Sequence, residues 1–338
     1  MAPSSPSSPT SSFTSPQTAP VLADVVRSGF HEGQHRGSLV VLGADGRVER
    51  AWGDPAAPVF PRSANKPAQA AAVLRAGEAA DGAFSLGGER LALTAASHSG
   101  ESFHLELVRR MLDEAGLTES DLRCPEDLPL DPVEAERYLA AGHRRSRVAM
   151  NCSGKHTSML AACRANGWPT DSYVDPAHPL QQLTERTLAE AAGEPVAHTG
   201  TDGCGAPLLA VSLTGLARMY RTFATADPAT PEGRVARAMS SHPEYVAGTR
   251  RHDTAVMREL PGALAKMGVE AVQAVALPDG RALAFKLEDG GGRAVGPVLL
   301  RGLELLGVEA AVLERLAERL SVPLLGGGEP VGEVRAAF

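Results

Sequence analysis

The chain has 338 residues, 43% of them apolar, with 33 basic and 40 acidic side chains and a net charge of −7. That apolar share suffices for a sizeable core, and an acidic balance with no basic run beyond "GHRRSR" lacks the electrostatic footprint of a nucleic-acid binder. No apolar run nears the roughly 20 residues that span a bilayer, and the amino terminus has no secretory pattern, so a cytoplasmic place and a small soluble ligand are expected, with no membrane partner.

Residues 1–20, "MAPSSPSSPTSSFTSPQTAP", are rich in Ser, Pro and Thr and predict a disordered tail. Residues 21–338 are expected to form a single domain, because no long linker or solenoid-period repeat divides them. "VLADVVRSG" and "GSLVVLGADGRVERAWG" predict a hairpin at the start of a sheet, with Ala44-Asp45-Gly46 as a turn. "SANKPAQAAAVLRAG" predicts a helix opened at Ser63, with Pro67 in its first turn and Gly77 at its end. "ERLALTAASHSGESFHLELVRRMLDEAG" gives a short apolar run, a turn carrying Ser97 and Ser99, and an amphipathic helix ended by Gly116.

"AMNCSGKHTSMLAACRANG" repeats that pattern, and "HPLQQLTERTLAEAAG" and "PLLAVSLTGLARMYRTFA" predict helices on either side of the turn "HTGTDGCGAP". "GALAKMGVEAVQAVALPDGRALAFKLEDGG" predicts two strands about Pro278-Asp279-Gly280, and helices from Val295 and Ala310 finish the chain. The expected fold class is α+β, an antiparallel sheet built from both chain ends with a helical middle.

Lysine occurs only at Lys66, Lys155, Lys266 and Lys286; the other 29 basic residues are arginine. Arginine cannot be deprotonated inside a protein, whereas a desolvated lysine can become a neutral base, so the scarce lysines are the first candidates for chemistry. Ser63 and Lys66 stand at i and i+3, close enough for the amine to activate the hydroxyl; the plain alternative is a helix cap and a surface lysine. Lys266-Met267-Gly268 is a K-x-G at a strand edge, as penicillin-recognising serine enzymes present opposite S-x-x-K. Met267 replaces the usual hydroxyl residue there, and no S-D-N accompanies it. Lys286, alternating with Glu288, reads as a salt-bridged strand lysine. Ser97-His98-Ser99-Gly100-Glu101 offers either a second nucleophile or a capped helix.

Cys124, Cys152, Cys163 and Cys204 suit reduced thiols better than a disulfide framework. Cys152 and Cys204 are too few for a closed zinc site and form no C-x-x-C pair, so spacing favours inert buried thiols. Lys155 leaves a metal site open, because a neutral amine can ligate once its proton is displaced. Gly154-Lys155 lacks the remainder of a phosphate loop.

Taken in order, "RSANKPAQ", "ASHSGE", "NCSGKHTSML", "TDGCGAP", "HPEYVAGTRRHDT", "GALAKMG" and "KLEDG" resemble the bacterial L-asparaginases of the rhizobial inducible type, the third structural class. The resemblance implies a fold like serine β-lactamases and serine-dependent glutaminases, and hydrolysis of L-asparagine to L-aspartate and ammonia by a homodimer. It implies two catalytic tandems, Ser63 with Lys66 and Ser97 with Lys266, with Ser97 a leading candidate for acylation. It makes Cys152, Lys155 and Cys204 zinc ligands, with Asp202 beside the metal and meeting the substrate, and it places Arg62 and His156 along the substrate pocket. The chain departs from the pattern at Ala271, where the family commonly has glycine. The alternatives are a glutaminase or penicillin-recognising Ser-Lys hydrolase, or a non-catalytic zinc-dependent amino-acid sensor. The lack of an export signal counts against the penicillin reading, and the intact serines and lysines count against the sensor.

Overall fold

A computed structural model describes residues 19–80 and 86–338. The expected tail over residues 1–20 lies outside the described residues, apart from Ala19 and Pro20. The chain opens with three strands, β1 (Val21–Arg27), β2 (Phe30–Leu42) and β3 (Val48–Trp52), then the short β4 (Pro58–Val59). Helices α1 (Lys66–Ala79), α2 (Gly88–Thr94), α3 (Ser102–Glu114), α4 (Pro132–Ala140), α5 (Ser153–Ala165) and α6 (Pro179–Ala192) follow. Next come β5 (His198–Thr201), β6 (Pro207–Ser212), α7 (Leu213–Ala224), α8 (Pro231–Ser241), α9 (Pro243–Val246) and α10 (His252–Glu259). The chain closes with β7 (Leu264–Gly268), β8 (Val272–Ala276), β9 (Ala282–Leu287), α11 (Val295–Leu305), α12 (Ala310–Leu320), β10 (Pro323–Gly326) and β11 (Glu329–Ala336).

The main sheet runs β10-β11-β1-β2-β9-β8-β7, antiparallel throughout, with β3 also paired to β2. Its first and last strands in sequence meet directly, Val25 opposite Val334, so the sheet is assembled from both chain ends as expected. The inner residues of β2, Leu39 to Leu42, and all of β8 are buried, as a sheet covered by helices requires. No helix among the described residues is long and apolar enough to cross a membrane.

Three elements differ from the sequence reading. "PLLAVS" is the strand β6, flanked by β4 and β5 in a second, three-stranded sheet, and the helix begins only at Leu213. A short apolar run fits a buried strand and a buried helix equally well, and here the junction is marked by Ser212, whose Oγ accepts the Gly215 N–H at 2.8 Å. The stretch expected as two strands about Pro278 is three, because a tight turn at residues 269–271 divides β7 from β8. Beyond α12 the chain forms the β10–β11 hairpin instead of ending in helix. Its strands are polar and mostly exposed, which leaves little alternation to read.

The β7–β8 turn holds Glu270 at φ +64° and Ala271 at φ +53°. A side chain is strained in that left-handed region, which explains why glycine suits the Ala271 position. One residue from this turn, Gly268 packs against the entry to α1: a Cβ there would lie 2.2 Å from Pro61 O and 3.2 Å from Arg62 Cβ. Gly268→Ala is expected to cost about 1–3 kcal/mol through overpacking, measured by denaturant unfolding. An unchanged midpoint would show that the two segments can separate freely.

Candidate active site

Three of the four lysines are among the most deeply buried side chains: Lys66 and Lys155 are 1% exposed and Lys266 is 0% exposed. Burying a flexible cation is costly unless its donors are met, so the partners of each amine report its role. Lys66 is the first residue of α1, entered through a 3₁₀ turn over Arg62–Asn65. Its Nζ donates to Ala96 O at 2.5 Å, Ser97 Oγ at 2.8 Å and Cys152 Sγ at 3.0 Å. Three acceptors match the three donors of an ammonium.

Lys266 reaches the same hydroxyl from β7. Its Nζ lies 3.0 Å from Ser97 Oγ and 3.0 Å from Met267 O. Burial pushes Lys266 down to about 7, and the nearby Lys66 acts in the same direction, while Asp253, 4.0 Å away, only partly offsets them. A lysine with that value is half neutral near physiological pH and can accept a proton. Ser97 stands on the turn between α2 and α3 and is held there by its N–H to Val246 O at 3.0 Å. The next residue, His98, is clamped too, through its N–H to Asn151 O at 3.0 Å and its Nε2 at 2.8 Å from Ser153 Oγ. Burial, followed by the charges of His104 and Lys66, keeps His98 well below its ordinary value and therefore neutral.

Ser63 lies inside the 3₁₀ turn, where it makes no capping bond. Lys66 and Lys266 both meet Ser97, and neither donates to Ser63. The serines nevertheless share an open cleft of about 320 Å³, lined also by Asn151, Arg251, Asp253 and Val269. Asp253 is not among the residues that the sequence singles out. Its carboxylate, 1% exposed, accepts the Met267 N–H at 2.9 Å and Gln273 Nε2 at 3.0 Å, fixing β7 behind Lys266. No spacing rule selects it; its only signal is its place in the block "HPEYVAGTRRHDT".

The thiol-bearing turns converge behind Lys66. Cys152 precedes α5 and Cys204 sits between β5 and β6, with Lys155 Nζ 3.2 Å from Cys204 Sγ and Asp202 Oδ2 3.7 Å from it. The hydrogen bond from Cys152, then Lys155 and His156, hold Cys204 well below the usual thiol range, while Cys152 keeps its proton. Burial acts to lower Lys155, but the sulfurs and Asp202 outweigh it and raise it above its ordinary value. Among the described residues no group of three or more His, Cys, Asp or Glu gathers with metal-binding geometry. Lysine stands outside those four residue types, and two sulfurs with one nitrogen form a donor set that suits zinc. His156 is fully buried, with Nδ1 2.6 Å from the Tyr173 hydroxyl and Nε2 without a hydrogen-bond partner.

Arg62, at φ +51°, pairs its Nε with Asp202 Oδ1 at 2.8 Å. Arg62, His156 and Asp202 are not on the cleft lining that holds both serines. Lys286 is not salt-bridged to Glu288; its Nζ donates to the carbonyls of Glu270 and Leu287 at 2.9 and 3.0 Å, bracing the β7–β8 turn.

The model of a family described as L-asparaginase II matches residues 23–336. Comparison with curated proteins finds no match. Among solved structures, the chain is similar to a β-lactamase from Mycobacterium bovis, 15% identical over 84% of this chain and 94% of that one, with a TM-score of 0.43. It is similar to EstCE1, a hydrolase with promiscuous acyltransferase activity, at 12% identity over 79% of this chain and 93% of that one, TM-score 0.41. It is also similar to Mglu in its tris and glutamate form, at 18% identity over 90% of this chain and 64% of that one, TM-score 0.36.

Proposed function

Since the chain belongs to the L-asparaginase II family, and is a hydrolase, we propose that it cleaves the side-chain amide of free L-asparagine through an acyl-enzyme on Ser97. One observation carries this reading: the Ser97 hydroxyl lies between two buried amines, Lys66 Nζ at 2.8 Å and Lys266 Nζ at 3.0 Å. Lys66, which also donates to Ala96 O and Cys152 Sγ, orients the oxygen through its N–H. Lys266, pushed down to about 7, takes the proton.

The Ser97 oxygen attacks the amide carbon as its proton moves to Lys266 Nζ. Collapse of the tetrahedral adduct breaks the C–N bond, and Lys266 returns the proton to the departing nitrogen, which leaves as ammonia. Water then attacks the aspartyl ester with Lys266 again as base, and L-aspartate leaves as Ser97 regains its proton. The Ser97 N–H is already committed to Val246 O, so it is not an oxyanion donor. The Asn151 side-chain amide, on the cleft lining, accepts from Cys152 Sγ through its oxygen, and its N–H groups have no acceptor among the described residues, so it can serve instead. Ammonia release from L-asparagine beside L-glutamine tests the assignment: L-asparagine is expected to be the better substrate by kcat/KM, and inactivity on both would reject it.

Cys152, Lys155 and Cys204 would hold a zinc ion, with Lys155 giving up its proton on binding. Bound zinc supplies an electrophilic point that orients a substrate oxygen, without making the nucleophile. Chelation is expected to raise KM roughly tenfold and change kcat much less, and Cys204→Ser is expected to lose the zinc that metal analysis finds in the wild type. A collapse of kcat at constant KM would overturn the orienting role.

A further inference from the structure

Two adjacent arginines line the cleft beside the serines, in opposite circumstances. Arg250 is spent on the protein: it donates to Asp131 Oδ2 at 3.1 Å, Asp131 Oδ1 at 2.9 Å and Glu134 Oε1 at 2.6 Å. Arg251 is half-buried on the lining and makes no ion pair or side-chain hydrogen bond among the described residues. The carboxylate on the lining, Asp253, has both oxygens engaged by Met267 and Gln273. Among the described residues the cleft lining therefore presents one charged side chain without a counter-charge, a guanidinium. That group cannot shed its proton, and its planar fork fits a carboxylate.

We propose that Arg251 is the specificity-determining residue of this cleft, binding the free carboxylate of the substrate, and that the site accepts ω-amides of dicarboxylic acids with or without an α-amino group. The proposal rests on amide hydrolysis at Ser97. It extends the substrate class because no uncommitted carboxylate lines the cleft to demand an ammonium. For succinamate, which lacks the α-amine, the bond changes are the same. The amide C–N bond breaks with release of ammonia, the Ser97 ester forms, and water replaces Ser97 to give succinate.

The test is ammonia release from L-asparagine, succinamate and 3-aminopropanamide, which has an amine but no carboxylate, by the wild type, Arg251→Gln and Arg251→Lys. The wild type is expected to hydrolyse the first two with kcat/KM within about tenfold of each other and the third about 100-fold less well. Arg251→Gln is expected to raise KM for both carboxylate substrates by about 100-fold while kcat changes by less than about threefold, with partial recovery in Arg251→Lys. Among the described residues Arg251 makes no ion pair or side-chain hydrogen bond, so the thermal midpoint of Arg251→Gln should match the wild type; if it falls, Arg251→Lys against the wild type decides.

An unchanged KM in Arg251→Gln, or equal turnover of 3-aminopropanamide, overturns the carboxylate assignment while leaving L-asparagine hydrolysis intact. Turnover of L-asparagine without succinamate overturns the claim that the amine is dispensable. Failure of the wild type on every amide overturns this proposal together with the reading beneath it.

Discussion

Ser97→Ala is expected to lower kcat for L-asparagine by about 10⁴- to 10⁶-fold, the cost of removing a nucleophile from a unit of coupled catalytic groups. Among the described residues Ser97 is the hydroxyl on which Lys66 and Lys266 both converge, so its loss leaves two oriented amines with nothing to act on. Ser63→Ala is expected to cost far less, about 10- to 100-fold, because Ser63 shares the cleft wall but, among the described residues, neither Lys66 nor Lys266 donates to it. Rapid acid quench of the wild type followed by peptide mapping should place the aspartyl ester on the peptide containing Ser97. An ester on Ser63 would overturn the assignment and make Ser97 the proton carrier between Ser63 and the lysines. The alanine variant removes only a small hydroxyl, and the turn remains held by the Ser97 and His98 backbone bonds to Val246 and Asn151.

Lys266→Arg is expected to lower kcat/KM by about 10²- to 10⁴-fold, the usual worth of a positioned general base. Arginine preserves the charge but cannot accept the proton. In the wild type, burial lowers Lys266 to about 7, so the fraction of neutral amine grows as pH rises. kcat/KM should therefore climb tenfold per pH unit on the acid side and level off above about 7. In Lys266→Arg that limb should vanish. The same shift has a consequence for stability. Between about 7 and 10.5 the unfolded chain holds a proton at this position that the folded chain lacks, so stability rises with pH through that window. An arginine variant that kept both its rate and its acid limb would remove Lys266 as the base. Lys266→Met, which fills the buried site without charge, separates loss of the base from disruption by a bulkier cation.

Much of this site is legible in the amino-acid sequence. Four lysines among so many arginines, two of them in S-x-x-K and K-x-G patterns, single out Ser63, Lys66 and Lys266. The small-residue turn "ASHSGE" does the same for Ser97. The pairing is not legible. Spacing along a helix suggests Lys66 against Ser63, yet the Lys66 amine is taken up by Ala96 O, Ser97 Oγ and Cys152 Sγ, its serine partner lying 31 residues further on. Asp253 escapes notice because its role is to accept a backbone N–H and an amide from two neighbouring strands, and a sequence carries no trace of such a contact.

By itself the sequence determined which segments are helical where apolar residues recur around a cap and a stop, as in α3, α5 and α6. It also determined which residue types are rare enough to be chemical. Those are local properties, written at separations of three or four residues. Only the tertiary structure decided that "PLLAVS" is a strand, that the exposed final hairpin closes the sheet against β1, and that Lys66 and Lys266 meet at one serine. The reason is physical. A strand exists through partners far away in the chain, and an amine's protonation depends on how many acceptors surround it and how much water is excluded. Lys66 and Lys266 share one serine, but three acceptors surround the first, while a dry pocket with a more distant carboxylate surrounds the second.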